Sequence, residues 1–103
     1  MDEQLKTLID AAKRDYDSEG FILLGVFGSR ARGDFGAESD LDILYRLEDR
    51  FLERHPGWTS YKRIDEIKND LARRLGMPVD FADIEALDEI GRKYILSETI
   101  YVS

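Results

Sequence analysis

Apolar residues recur along the chain with two different spacings, and the alternation between them predicts an α/β fold. Helical spacing predicts an amphipathic helix over about residues 2–16 and another from Thr59 or Ser60, as the cap, to about Leu75. The apolar stripe of the second helix is Tyr61, Ile64, Ile67, Leu71 and Leu75. A final helix is predicted from about Ala86 to Leu96, with core candidates Leu87, Ile90, Tyr94 and Ile95.

Short, mostly apolar runs predict the strands. Phe21–Phe27 is almost wholly apolar, as expected of a strand that is covered on both faces, and Leu41–Leu47 forms a second run. A short strand follows Pro78, from Val79 to about Ile84, and Ile100–Val102 is a closing strand or an extended tail. The chain is therefore predicted to be one domain, residues 1–103, with a small mixed sheet of three or four strands and helices packed against it.

A glycine-serine turn follows the first predicted strand. Gly28 allows the backbone to turn sharply and to approach a ligand closely. A short helical turn is predicted over Ser29–Arg32, and the N–H groups at its start suit a phosphate. The Ser29 hydroxyl adds a further donor, so this turn is a candidate phosphate cradle.

Two carboxylates, Asp40 and Asp42, stand at the start of the second predicted strand. Residues two apart on a strand point to the same face, so we expect these side chains to lie together. Two adjacent carboxylates repel each other unless a cation neutralises them. A divalent metal with oxygen ligands explains the pair, and Mg²⁺ is the usual choice where phosphates take part.

Further acids need an interpretation. Asp80 is out of phase with its apolar neighbours Val79 and Phe81, and a carboxylate in an apolar strand must be paired, exposed or bound to metal. Asp83 is predicted to cap a helix at the exit of the strand. Asp34 and Glu38 are predicted to be solvated loop acids or partners of arginines.

The segment Glu48–Trp58 gives no clear element, although its Pro56-Gly57 pair predicts a turn. His55, beside this turn, is predicted to be a solvent-facing loop histidine rather than a catalytic base. Trp58 is predicted to pack against the core, with stacking on a nucleobase as the alternative.

Composition excludes several classes of protein. The formal net charge of −7 argues against a general nucleic-acid binder, so no direct general nucleic-acid binding is expected. Absence of cysteine excludes a disulfide scaffold. The N-terminal sequence does not resemble a signal peptide and no apolar run is long enough to span a membrane, so the expected location is the cytoplasm.

The two motifs together carry a resemblance. Gly28–Gly33 (GSRARG) followed by Ser39–Asp42 (SDLD) resembles the signature of the DNA polymerase beta-like nucleotidyltransferases. Within that superfamily, the short chain and the GSxARG form resemble the minimal nucleotidyltransferase (MNT) group, whose members commonly act as antitoxins beside a HEPN-domain toxin. The resemblance implies the polymerase beta-like nucleotidyltransferase fold over the whole chain.

The resemblance also implies roles for individual residues. Asp40 and Asp42, with Asp80 as the third carboxylate in preference to its competitor Asp83, would hold one or two Mg²⁺ ions, and Asp80 could also serve as the general base. ATP would be the substrate. The residues implied to bind the nucleotide are Gly28, Ser29, Arg30, Arg32 and Ser39.

The implied reaction transfers AMP from ATP to a tyrosine hydroxyl of a cognate HEPN ribonuclease toxin, which neutralises the toxin. One alternative is an antitoxin that neutralises by binding alone, and alanine at Asp40 and Asp42 distinguishes the two. Another is a nucleotidyltransferase that acts on RNA or on a small-molecule hydroxyl. A purely structural Asp-x-Asp would predict no metal-dependent nucleotide binding.

Overall fold

A four-stranded mixed sheet lies at the centre of the computed structural model, which describes residues 2–33, 36 and 39–102. The strands are β1 (Phe21–Phe27), β2 (Leu41–Leu47), β3 (Val79–Asp83) and β4 (Ile100–Tyr101). Their order in the sheet is β3-β2-β1-β4; β1 pairs antiparallel with β2 and with β4, and β2 pairs parallel with β3. The predicted mixed sheet is confirmed.

Helices connect and cover these strands. They are α1 (Glu3–Asp17), α2 (Ser29–Arg32), α3 (Asp49–Arg54), α4 (Trp58–Leu75) and α5 (Glu89–Glu98), with a 3₁₀ turn at Ile84–Ala86. The parallel pairing of β2 and β3 requires a crossover connection, which α3 and α4 provide. Among the described residues, no helix combines the length and the apolar character needed to cross a membrane.

The core is built around an aromatic cluster on the sheet. Phe21 is completely buried, and its ring stacks on that of Tyr45 with the centroids 4.7 Å apart. The ring centroids of Phe51 and Phe81 lie 5.9 and 5.4 Å from that of Phe21. Helices α1 and α4 cover this face with Ile9, Ala12, Ile67 and Leu71. Ile22 and Leu24 in β1 are only half-buried, so the expectation that this strand is covered equally on both faces is wrong.

Two helix boundaries differ from the prediction. Helix α4 begins at Trp58 after Gly57 and has no side-chain cap, so the predicted capping role of Thr59 or Ser60 is wrong. Their hydroxyls instead donate to the carbonyl oxygens of Pro56 and Gly57, at 2.5 and 2.9 Å. Helix α5 begins three residues later than predicted because Asp88 caps it.

Several apolar side chains predicted to be buried are exposed. Ile90 and Tyr94 are 83% and 64% exposed, and Tyr61 and Trp58 are 77% and 71% exposed. The expectation that these four side chains pack into the core is therefore wrong. Helical spacing identified the helices of Tyr61, Ile90 and Tyr94, but it could not show which of their apolar residues face the sheet.

Helix α3 was not predicted, and it changes the position of His55. This residue ends the helix, and its ring lies 4.9 Å from that of Phe51. Its Nε2 atom is 2.9 Å from the Glu19 carboxylate, and the side chain is 21% exposed. The expectation of a solvent-facing loop histidine is therefore wrong. The predicted capping role of Asp83 is confirmed, because its carboxylate accepts a hydrogen bond from the N–H of Glu85.

Glu19 joins the end of α1 to α4. Its carboxylate accepts hydrogen bonds from Nε and Nη2 of Arg63 at 2.5 and 2.9 Å, and its side chain is only 12% exposed. These bonds lower the pKa of Glu19, and they outweigh the opposing effect of burial. They also raise the pKa of Arg63. The folded state thus favours the ionised pair.

We expect Glu19→Gln to lower the free energy of unfolding by about 1–3 kcal/mol at pH 7, because it removes the closer and more buried of the two carboxylates that pair with Arg63. Since the pKa of Glu19 is lowered on folding, the wild type has this stabilisation above the unfolded-state pKa and loses it as the pH falls. The difference in the free energy of unfolding between wild type and Glu19→Gln should therefore become smaller as the pH falls. Urea unfolding between pH 7 and pH 3 measures it.

Glu66→Gln is the matched control for that measurement. Glu66 also lies near Arg63, at 3.5 Å, but its side chain is 53% exposed. We expect a change within about 0.5 kcal/mol, as for exposed pairs in general. Equal effects of the two substitutions would contradict the assignment of the stabilisation to Glu19.

Candidate active site

The sheet brings three chain segments together at one edge. Phe27, the last residue of β1, is paired with Asp42 in β2, and Asp42 is paired directly with Asp80 in β3. Because residues paired across neighbouring strands point to the same face, the two carboxylates lie side by side beside the turn that follows β1. Asp83 is paired with Tyr45, three residues further along, and lies away from this position.

Asp40 lies just before the second strand, as the predicted bounds of that strand imply. It precedes β2, which begins at Leu41, and it is exposed, whereas Asp42 is half-buried within the strand. In the part of the chain that the structure describes, no group of three or more histidine or acidic side chains is close enough to hold a metal ion. The structure therefore pairs Asp42 with Asp80 but does not gather all three predicted ligands.

The electrostatics of Asp42 nevertheless fit a cation site. Burial raises the pKa of Asp42, and the carboxylates of Asp80, Asp40 and Glu98 raise this pKa further, while Arg32 opposes them. A half-buried carboxylate that is surrounded by other carboxylates is relieved by a divalent cation. The donors are all oxygen atoms, which suits Mg²⁺.

The turn after β1 requires glycine. Gly28 has φ +79° and ψ −161°, a conformation that is essentially restricted to glycine. A Cβ atom at Gly28 would overlap Oδ2 of Asp42, so the backbone of this turn lies directly against the carboxylate. The carbonyl oxygen of Gly28 accepts a hydrogen bond from the N–H of Arg32 at 3.0 Å, and this bond closes the single helical turn that begins at Ser29.

Arg30 and Ser39 connect this turn to the segment before Asp40. The Nε atom of Arg30 donates to the carbonyl oxygen of Ser39 at 2.9 Å, and the Ser39 hydroxyl accepts from the N–H of Gly36 at 2.9 Å. These bonds set the path of the chain as it enters β2. The loop acids Asp34 and Glu38, discussed above as possible partners of arginines, lie outside the described residues.

Two side chains near the acids were not assigned to the site from the sequence. Glu98, the last residue of α5, accepts a hydrogen bond from the N–H of Gly28 and pairs with Arg32. Lys68 in α4 is 3.7 Å from the Asp80 carboxylate. One sequence signal could have identified Glu98: a glutamate at the negative end of a helix is unfavourable unless it has a partner.

Comparisons of sequence agree on one family. The family model described as Polymerase beta, Nucleotidyltransferase matches residues 7–103. A relative from Thermococcus cleftensis, the protein adenylyltransferase MntA, is 30% identical over 101 residues, which are 97% of this chain and 94% of the relative.

Comparisons of structure give the same fold. A structure described as a minimal nucleotidyltransferase matches with a TM-score of 0.73 and 31% identity, over 97% of this chain and 95% of that chain. A toxin-antitoxin structure with AMP-PNP matches with a TM-score of 0.69 and 21% identity, over 93% of this chain and 70% of that chain. At that identity, the second match is evidence for the fold alone.

Proposed function

Because this chain belongs to the polymerase beta nucleotidyltransferase family, we propose that it transfers AMP from ATP to a tyrosine hydroxyl of a cognate HEPN ribonuclease toxin and so neutralises the toxin. The pairing of Asp42 with Asp80 beside the Gly28 turn is the observation that carries this proposal. It is further supported by the relative MntA, which is named a protein adenylyltransferase. ATP as substrate and a ribonuclease as acceptor imply a cytoplasmic reaction.

Asp40, Asp42 and Asp80 are the residues proposed to hold one or two Mg²⁺ ions. Burial raises the pKa of Asp42, and repulsion by Asp80 and Asp40 raises this pKa further, which supports the assignment. When bound, Mg²⁺ supplies neutralisation of the triphosphate charge and acidification of the acceptor hydroxyl.

The turn after β1 is proposed to bind the triphosphate. Gly28 has no Cβ atom, so a phosphate oxygen could approach its N–H, and the Ser29 hydroxyl would add a second donor. The Arg32 guanidinium suits a phosphate in charge and shape. Arg30 and Ser39 would complete the nucleotide site by fixing the entry to β2, through the hydrogen bond that joins them.

Asp80 is proposed to face the acceptor. It is 61% exposed, so a hydroxyl from a partner protein could reach it from solvent. The hydroxyl oxygen would form a bond to the α-phosphorus of ATP while the bond to the β-phosphate oxygen breaks and pyrophosphate leaves. Asp80 would accept the proton released by the hydroxyl.

A labelling experiment tests this function. Lysate of the source organism is incubated with Mg²⁺, purified protein and each of the four α-labelled nucleoside triphosphates in turn. We expect a single labelled protein band with ATP, modified on tyrosine as identified by mass spectrometry. Asp80→Asn should reduce the label by about 10²-fold or more, since a general base contributes on that order.

Asp65→Asn is the matched control, because Asp65 is an exposed aspartate on α4. It should label the same band as wild type. Label in RNA would overturn the protein acceptor in favour of an RNA acceptor. Toxin neutralisation by Asp80→Asn without any labelling would establish an antitoxin that acts by binding alone.

A further inference from the structure

Glu98 occupies the groups that are proposed to bind phosphate. Its Oε1 atom accepts the N–H of Gly28 at 3.1 Å, and its Oε2 atom is 3.1 Å from Nη1 of Arg32. The Glu98 side chain is 16% exposed, whereas that of Arg32 is 44% exposed. One carboxylate therefore spans a backbone donor and a guanidinium, as a phosphate group would.

The position of Glu98 is fixed by the sheet. The strand that follows it, β4, pairs with β1 through Gly25–Tyr101 and Val26–Ile100, and the N–H of Val102 donates to the carbonyl oxygen of Leu24 at 3.0 Å. A Cβ atom at Gly25 would collide with the carbonyl oxygen of Ile100, so this close pairing depends on glycine. The end of α5 is thereby held beside the end of β1, which is where Gly28 lies.

The charge around Glu98 opposes this arrangement. Its carboxylate is one of the three that raise the pKa of Asp42, so it adds negative charge to a site that already contains Asp40, Asp42 and Asp80. A carboxylate placed there is stabilised by the Gly28 N–H and by Arg32, and both stabilising groups are lost to it once a phosphate takes them.

We propose that Glu98 is an internal competitor of the nucleotide, a carboxylate that the triphosphate must displace from Gly28 and Arg32 before it can bind. The inference rests on the proposed function, because it takes the Gly28 turn to be the phosphate site. The Gly28 N–H is a single donor and cannot serve the Glu98 carboxylate and a phosphate oxygen equally well. Displacement exchanges one anion for another at the same donors, with no change in covalent bonds.

The test is the affinity of the purified chain for ATP with Mg²⁺, measured by titration calorimetry in the absence of any acceptor. Glu98→Gln keeps the length of the side chain and removes its charge. We expect the dissociation constant for ATP to fall by about 2–5-fold, the range that corresponds to the loss of one partly exposed ion pair. An unchanged or higher dissociation constant would overturn the proposal, because a residue that only positions the turn would weaken binding when it is removed.

Glu89→Gln is the matched control, because Glu89 is an exposed glutamate on the same helix. Its dissociation constant for ATP should equal that of wild type. If Glu98→Gln does not fold, Glu98→Asp replaces it; the shorter side chain loses reach but keeps its charge, and we expect a smaller decrease in the same direction. If wild type binds ATP and the Glu98 variants do not bind it more tightly, this inference alone is overturned. A lack of binding by all variants would overturn the proposed function with it.

Discussion

We expect Asp42→Asn to lower the rate of nucleotide transfer by about 10³-fold or more, the consequence of losing several kcal/mol of charge stabilisation in the transition state. Asp42 lies between the other parts of the candidate site, since it is paired with Phe27 on one side and with Asp80 on the other. Asparagine keeps the shape of the side chain but is a much weaker metal ligand. Single-turnover transfer of labelled AMP measures the effect.

The same substitution should stabilise the metal-free protein. Burial and the neighbouring carboxylates raise the pKa of Asp42, so the folded state binds its proton more tightly than the unfolded state does. The ionised carboxylate therefore destabilises the fold above that pKa, and the neutral amide removes this effect. Because the residue is only partly buried, we expect a gain of about 0.5–1 kcal/mol, or about 2–6 °C in Tm.

Thermal unfolding with and without Mg²⁺ separates the two effects. Mg²⁺ should raise the Tm of wild type and should have little effect on Asp42→Asn, because a ligand stabilises only a protein that binds it. The advantage of the variant should shrink as the pH falls and Asp42 in wild type becomes protonated. Asp65→Asn should match wild type in every respect. An Asp42 variant that is inactive but less stable than wild type would contradict the assigned electrostatics.

The bounds of β1 and β2 could be predicted from the sequence, whereas β3 ends at Asp83, before its predicted end at about Ile84. Phe21–Phe27 and Leu41–Leu47 are apolar runs bounded by glycine or by charged residues, and those boundaries are local properties of the sequence. Helix α3 could not be predicted, because six mostly charged residues are too few to show a helical periodicity of apolar positions. The exposure of Ile90 could not be predicted either, because burial depends on what the rest of the chain covers.

The residues of the candidate site also differ in whether the local sequence predicts their position. The Gly28 turn and Asp42 belong to consecutive strands and carry a recognisable motif, and their contact follows from the pairing of β1 with β2. Glu98 reaches the same turn from 70 residues away, through the pairing of β4 with β1. No local pattern encodes that register, since β4 contains only two residues. The placement of Asp80 opposite Asp42 likewise depends on the register of the parallel pair.

We expect Gly28→Ala to destabilise the protein by about 2–4 kcal/mol and to lower ATP affinity by about 10-fold or more, through backbone strain combined with a steric clash. The backbone at Gly28 has positive φ, and the added methyl group would overlap Oδ2 of Asp42. Relief of that overlap must move the turn or the carboxylate, and both are parts of the candidate site. Chemical unfolding and ATP titration calorimetry measure the two effects.

Gly57→Ala separates strain from overlap. Gly57 has a similar conformation, with φ +60° and ψ −135°, but an added Cβ would meet no atom within 4 Å. It should therefore show the strain alone, about 1–2 kcal/mol, with ATP affinity unchanged. The excess destabilisation of Gly28→Ala would then measure the contact with Asp42. Replacement of Asp42 by alanine in the Gly28→Ala background should remove most of that excess destabilisation, because the overlapping oxygen is gone. An excess that persists would show that a contact other than the one with Asp42 constrains the turn.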